Sequence, residues 1–356
     1  MPRIRRAAAA AVAGLAALTA LAVGPAPRTV AAPAAAALVS HMVSFQVKNS
    51  NTSAVPCQSD GASYTIHGRL VGPANQLDPL NPGRSVVLDL HGLGYGQFFW
   101  DFEIIPGYDW SEAVASHGVA SLIIDRLGYG VSSHPPGMQS CMGAQADIAH
   151  QVVQALRTGA YAMDGAAGLG FVRVGLTGHS AGGAIAQAEA YSFHDVDALI
   201  VLAWADTGAS PKVLADFAQT GAVCASGGNP PGYAPLGQSK DEFKALMFHD
   251  ADPAVEGEAT RLRNADPCGD DSSIPAAIAT DEQRVASIQV PVLLAIGADD
   301  AIFPPPSQDR QKSMYTGTKD VTALTVLDTG HALSLERSAP FTRDAVAAWL
   351  CKRSFC

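Results

Sequence analysis

The chain has 356 residues, 48% hydrophobic and 16% charged. That suits one well-buried domain with an insertion, or two small domains, and nothing in the composition suggests disorder or a fibrous repeat. The formal net charge of −10 argues against nucleic acid and anionic membranes as partners.

The first feature along the chain is a leader. Arg3, Arg5 and Arg6 form a basic start, Ala7 to Val23 is apolar and small, and a Pro/Ala-rich stretch with cleavage candidates near Ala31 and Ala36 follows. This layout predicts a cleaved secretory signal peptide over residues 1–37 and an extracellular protein. The apolar run is short for a bilayer span and is built from Ala, so no stable membrane anchoring is expected. Four of the 23 basic residues and no acid lie in that segment, which leaves 19 basic against 33 acidic side chains and a net charge of −14.

All six cysteines lie beyond the leader. An even number in an exported chain favours disulfides, and no CxxC or Cys/His cluster has zinc spacing, so no metal is expected. The pairs expected are Cys57–Cys141, Cys224–Cys268 and Cys351–Cys356, as structural staples.

Past the leader, Met42–Val47 and Ser63–Leu70 read as antiparallel strands. Ser85–His91, Val119–Asp125, Val172–Thr177, Ala198–Ala203, Val290–Gly297 and Thr322–Leu327 are runs rich in Val, Ile and Leu. Near-continuous apolar runs are what strands covered on both faces require. Gly143–Thr158, Ala181–Ser192 and Ala339–Leu350 have helical periodicity. The alternation predicts an α/β fold with a mostly parallel, doubly wound sheet. Residues 206–289 lack a clear buried strand and hold Gly227-Gly228-Asn229-Pro230-Pro231-Gly232. An excursion of that length reads as a cap inserted after the strand that follows the Ala181 helix. The expected core is therefore 38–205 together with 290–356.

The chemistry concentrates in a few turns. Gly178-His179-Ser180-Ala181-Gly182 sits between a predicted strand and a predicted helix. There the serine occupies a strained turn at a helix N-terminus, and small residues on either side let helix and strand approach. A serine hydroxyl needs a base, and His331 in Thr329-Gly330-His331-Ala332 follows the last predicted strand. The imidazole needs a carboxylate. Asp300 and Asp299 both follow Val290–Gly297, with Asp206 after the preceding core strand as a third candidate. Asp300 is favoured by the apolar pair and proline that trail it, Ile302-Phe303-Pro304. Oxyanion donors are expected from His91-Gly92-Leu93-Gly94-Tyr95-Gly96, through the Leu93 amide, and from the Ala181 amide. His91 and His179 are expected to make local hydrogen bonds. Phe98 and Trp100 suit either core packing or a pocket.

HGLGYG at 91–96, DRLGYGVS at 125–132, GHSAG at 178–182, GADD at 297–300 and TGH at 329–331 resemble, in that order, the landmarks of the α/β-hydrolase superfamily. The resemblance runs from about Ser85 to the C-terminus. It implies the α/β-hydrolase fold, nucleophile Ser180, acid Asp300, base His331, and oxyanion amides of Leu93 and Ala181, with no cofactor. DRLGYGVS is expected to be a structural turn. The expected activity is hydrolysis of a small-molecule or lipid-like ester through an acyl-enzyme. Amide or peptide hydrolysis by the same triad is the alternative, and a non-catalytic binding protein on the scaffold is a further one.

Overall fold

The computed structural model describes residues 37–356; the leader expected over 1–37 lies outside them, apart from Ala37. The chain opens with β1 (Leu38–Lys48), β2 (Ser63–Pro73), β3 (Ser85–Leu90), α1 (Trp110–Ser116), β4 (Ser121–Ile124) and α2 (Met142–Thr158). A short hairpin follows, β5 (Ala162–Met163) and β6 (Ala166–Ala167), then β7 (Arg173–His179), α3 (Ala181–Phe193) and β8 (Ala198–Leu202). The inserted stretch carries α4 (Pro211–Ala225), β9 (Tyr233–Ala234), α5 (Lys240–Met247), α6 (Pro253–Leu262), β10 (Asp266–Pro267) and α7 (Cys268–Arg284). The chain closes with β11 (Val292–Gly297), α8 (Ser307–Met314), β12 (Val321–Val326) and α9 (Ala339–Cys351). Among the described residues, no helix is long and apolar enough to cross a membrane.

The main sheet runs β12-β11-β8-β7-β3-β4-β2-β1-β5-β6. From β12 to β4 the neighbours are parallel, whereas β2 is antiparallel to both β4 and β1. β3, β4, β8 and β11 are buried along their whole length, as their unbroken apolar runs require. β12 is different. It alternates between partly buried and exposed residues because it is the sheet's edge, with a neighbour only at β11. Its run had been expected to be covered on both faces.

The connection from β3 through α1 leads one way to β4, and the connection from β4 through α2 doubles back past β3 to β7. Right-handed crossovers in opposite directions put α1 and α2 on opposite faces. α3 continues in α2's direction and packs against it, while α9 packs against α1. The reversal falls between β3 and β7, and the crevice outside the carboxyl ends of strands at such a point is where an α/β sheet holds its ligand.

The three expected disulfides form, with Cα separations of 6.2 Å for Cys57–Cys141, 5.6 Å for Cys224–Cys268 and 5.0 Å for Cys351–Cys356. The first joins the loop after β1 to the start of α2, and the second joins the end of α4 to the start of α7.

One buried acid lies in the middle of the sheet. Asp89 on β3 hydrogen bonds Thr177 and Ser121, and burial raises its pKa to about 7. A carboxyl whose pKa is higher folded than unfolded contributes stability that is complete below its unfolded value of 3.8 and is lost as pH rises through 7. Asp89→Asn should therefore leave stability at pH 4 nearly unchanged and raise it at pH 8, flattening the curve between. Urea unfolding midpoints of both proteins across that range check this.

Candidate active site

The turn between β7 and α3 is compressed. A Cβ on Gly178 would stand 2.0 Å from the Gly182 carbonyl oxygen, and one on Gly182 would stand 2.4 Å from that of Leu90. Both obstacles are backbone, so neither can move aside. The crowding leaves Ser180 at φ 53°, ψ −124°, a region that a non-glycine residue occupies only at a cost of about 1–3 kcal/mol. Its amide donates to the Leu202 carbonyl at 2.8 Å, and the amide of Gly183 donates back to its own carbonyl at 2.7 Å. The Ser180 side chain lies at the N-terminus of α3, where the helix dipole favours negative charge.

The loop after β3 lies against this turn. A Cβ on Gly92 would meet the Ser180 Cβ at 2.9 Å, so Leu93 follows within one residue of the serine. Neither the Leu93 nor the Ala181 amide donates to an acceptor among the described residues. The loop is held by His91, whose Nδ1 bonds the Gly92 carbonyl at 2.9 Å and whose Nε2 accepts the Arg126 amide at 3.1 Å. A carbonyl can only accept and an amide can only donate, so the tautomer is fixed with the proton on Nδ1. Burial, and then the Arg126 charge, push the pKa of His91 well below its usual range.

His331 stands after β12 and Asp300 after β11. His331 Nδ1 lies 2.8 Å from Asp300 Oδ2, and both side chains are fully buried. Asp300 Oδ1 accepts the amides of Ile302 and Phe303 at 2.8 and 2.9 Å. A carboxylate oxygen accepts, so Nδ1 donates and His331 Nε2 is left bare. Nε2 is buried and has no hydrogen-bond partner among the described residues. The other candidate acids are elsewhere. Asp299 is exposed, 3.6 Å from His249, and Asp206 binds Trp204 Nε1 at 2.8 Å and Gln311 Nε2 at 2.7 Å.

Several positioning residues were not apparent in the sequence. His179, expected to bond locally, instead donates from Nε2 to the His331 carbonyl at 2.9 Å, 152 residues away. Phe99 stacks on the His179 ring with centroids 4.1 Å apart, and burial keeps the pKa of His179 well below its usual range. Trp100 is fully buried and belongs to the core with Phe99, whereas Phe98 is only partly buried against it. Glu336 accepts the amides of Gly330, His249 and Asp250 at 3.1, 2.8 and 2.8 Å. It thereby joins the His331 loop to the inserted stretch, where the Ala332 amide also reaches the Met247 carbonyl at 2.9 Å.

The insertion grips the other side of the site too. Asp266 Oδ1 accepts the Gly94 amide at 2.6 Å, and burial raises the pKa of Asp266 to about 7. Asp270 pairs with Arg126 at 3.0 Å in full burial and accepts from Ser140 Oγ at 2.7 Å. Arg126 Nε also donates to the His91 carbonyl at 2.9 Å. The DRLGYGVS segment is a structural turn, as expected: Asp125 accepts the amides of Gln97 and Val131. Its arginine, however, is the core's half of a buried ion pair.

A serine, a histidine and an acid brought by turns after three strands of a doubly wound sheet are what a hydrolase of this architecture requires. The chain belongs to the alpha/beta hydrolase family, whose model matches residues 86–345. No curated protein matches it. Among solved structures, a thermophilic esterase from Thermogutta terrifontis is similar at 19% identity and a TM-score of 0.59, over 86% of this chain and 98% of that one. A monoacylglycerol lipase from Paleococcus ferrophilus is similar at 18% and 0.57, over 76% and 94%. An esterase from Exiguobacterium antarcticum is similar at 18% and 0.57, over 86% and 98%. Likeness at this identity carries the fold.

Removing one partner of a buried ion pair leaves the other charge uncompensated, at about 3–5 kcal/mol. Asp270→Ala should lower stability by that amount, and Asp270→Ala with Arg126→Met should recover part of it. Denaturant unfolding of the single and double variants measures both.

Proposed function

We propose that the protein is an exported serine hydrolase of carboxylic esters, with Ser180 as nucleophile, His331 as base and Asp300 as the acid that orients it. The observation that carries this reading is the His331–Asp300 pair, closed on Nδ1 and bare on Nε2, with the His331 carbonyl held by His179, the residue next to a serine at positive φ. Ser180 Oγ attacks the ester carbonyl while its proton passes to His331 Nε2. The charge that develops on the imidazole is offset by Asp300. The oxyanion receives the amides of Leu93 and Ala181, which have no other acceptor. His331 then protonates the leaving alkoxide, and water, deprotonated by the same nitrogen, releases the acid from the acyl-enzyme.

The substrate's apolar part has a place to go. A pocket of about 520 Å³ opens between α4 and α7, lined by Trp204, Leu214, Phe217, Ile274, Ile278 and Phe303 among others. Phe303 is shared with the site, its ring 6.0 Å from that of His331. In this reading residues 206–289 form a cap, and the ester is a small lipid-like one. Export belongs to the reading because the leader has signal-peptide layout and three disulfides persist only in an oxidising compartment.

Hydrolysis of p-nitrophenyl esters from acetate to palmitate tests the reaction. Ser180→Ala should lower kcat by about 10³-fold or more and abolish labelling by a fluorophosphonate. Turnover that survives the substitution would overturn the assignment. Ile278→Trp, which fills the pocket, should reduce turnover of the longer esters while sparing acetate; equal loss across the series would remove the pocket from the reading.

A further inference from the structure

A second cluster of chemical groups lies at the far end of α3. Glu189 is fully buried, and neither of its carboxylate oxygens has a hydrogen-bond partner among the described residues. It is nine positions beyond Ser180, about 13 Å along the helix at 1.5 Å per residue, and takes no part in the site described above. Asp195, in the turn that ends α3, has an equally unpartnered Oδ1. His150 reaches across from α2, with Nδ1 2.7 Å from Asp195 Oδ2. One donor atom from each of His150, Glu189 and Asp195 lies within 4.8 Å of the other two. The imidazole is fixed by stacking on Phe193, with centroids 4.0 Å apart and planes 13° apart. Gln154 Nε2 donates to Asp195 Oδ2.

A fully buried carboxylate beside a second, partly buried one needs a positive charge between them or a proton on one of them. The nearest guanidinium does not supply the charge, because Arg157 is engaged with the Asp195 carbonyl, Val172 and Asp197. Among the described residues nothing donates to Glu189.

We propose that His150, Glu189 and Asp195 bind one divalent transition cation of the Zn²⁺ type. One imidazole nitrogen and two carboxylate oxygens form a three-ligand set suited to a four-coordinate cation, with water in the fourth position. The nitrogen donor disfavours Ca²⁺ and Mg²⁺, which take oxygen. Access is from solvent on the His150 side, whose side chain is 28% exposed, whereas Glu189 closes the site from within. On binding, His150 Nδ1 releases its proton to solvent, any proton held by Glu189 leaves as well, and the cation takes their place. The cation would clamp α2 to the end of α3, and its role is structural.

The test is titration of the EDTA-stripped, full-length protein with ZnCl₂ by calorimetry at pH 7.5, alongside thermal unfolding with and without the metal. Wild type should take up one equivalent and unfold at a higher temperature in its presence. Glu189→Gln keeps the side chain's shape, and its amide can donate to Asp195, so the variant should remain folded. It should nevertheless bind Zn²⁺ at least about 100-fold more weakly, and His150→Ala should do the same. Two results would overturn the proposal. One is a wild type whose unfolding temperature and calorimetric trace ignore Zn²⁺, which would make Glu189 a protonated partner of Asp195. The other is stoichiometric binding that both variants retain, which would place the cation elsewhere.

Discussion

The contact on which the site depends is the approach of α3 to β7 and β3 at Gly178 and Gly182. Backbone meets backbone there, with no room for a single methyl group on either glycine. That closeness forces Ser180 out of the usual backbone regions and sets its side chain at the mouth of the sheet's switch point. It also brings the loop after β3 up against the turn, with Gly92 against His179 and Ser180. The strain is sustained because β3, β7 and β8 are fixed by parallel pairing on both sides.

Three buried histidines then divide the work by tautomer. His91 carries its proton on Nδ1 and holds the loop after β3; His179 carries its proton on Nε2 and holds the carbonyl of His331. Burial keeps both neutral. The His179 and His331 rings are only 5.0 Å apart. Nδ1 of His179 and Nε2 of His331 both lack a partner among the described residues, and of these two histidines only His331 has a carboxylate on its other nitrogen.

Much of this was legible in the sequence because it is local. The buried parallel strands announce themselves as apolar runs, and GHSAG carries both the serine and the glycines its turn requires. Asp300 could be preferred over Asp299 from the apolar residues behind it, whose amides turn out to hold its carboxylate. The rest was not legible because each half has no local signature. Asp270 and Arg126 are 144 positions apart, and neither acid in the insertion differs in sequence from an ordinary surface aspartate. Glu336 looks like a solvated residue before a helix and is instead the acceptor for three amides on two segments. β12 was misread for a related reason: composition reports apolarity, whereas edge position is a property of the completed sheet.

The two grips of the insertion limit how it can move. Residues 247–250 are fastened to the His331 loop through Glu336 and Ala332, and residues 266–270 to the segments after β3 and β4 through Asp266 and Asp270. Swinging the whole insertion away like a door would break a buried ion pair and pull on the His331 loop and the loop after β3 at once. The early turns of α4, whose Leu214 and Phe217 line the apolar pocket, take part in neither attachment. The insertion is thus tied down at two points, on the His331 loop and on the segments after β3 and β4, and its apolar pocket lies apart from both.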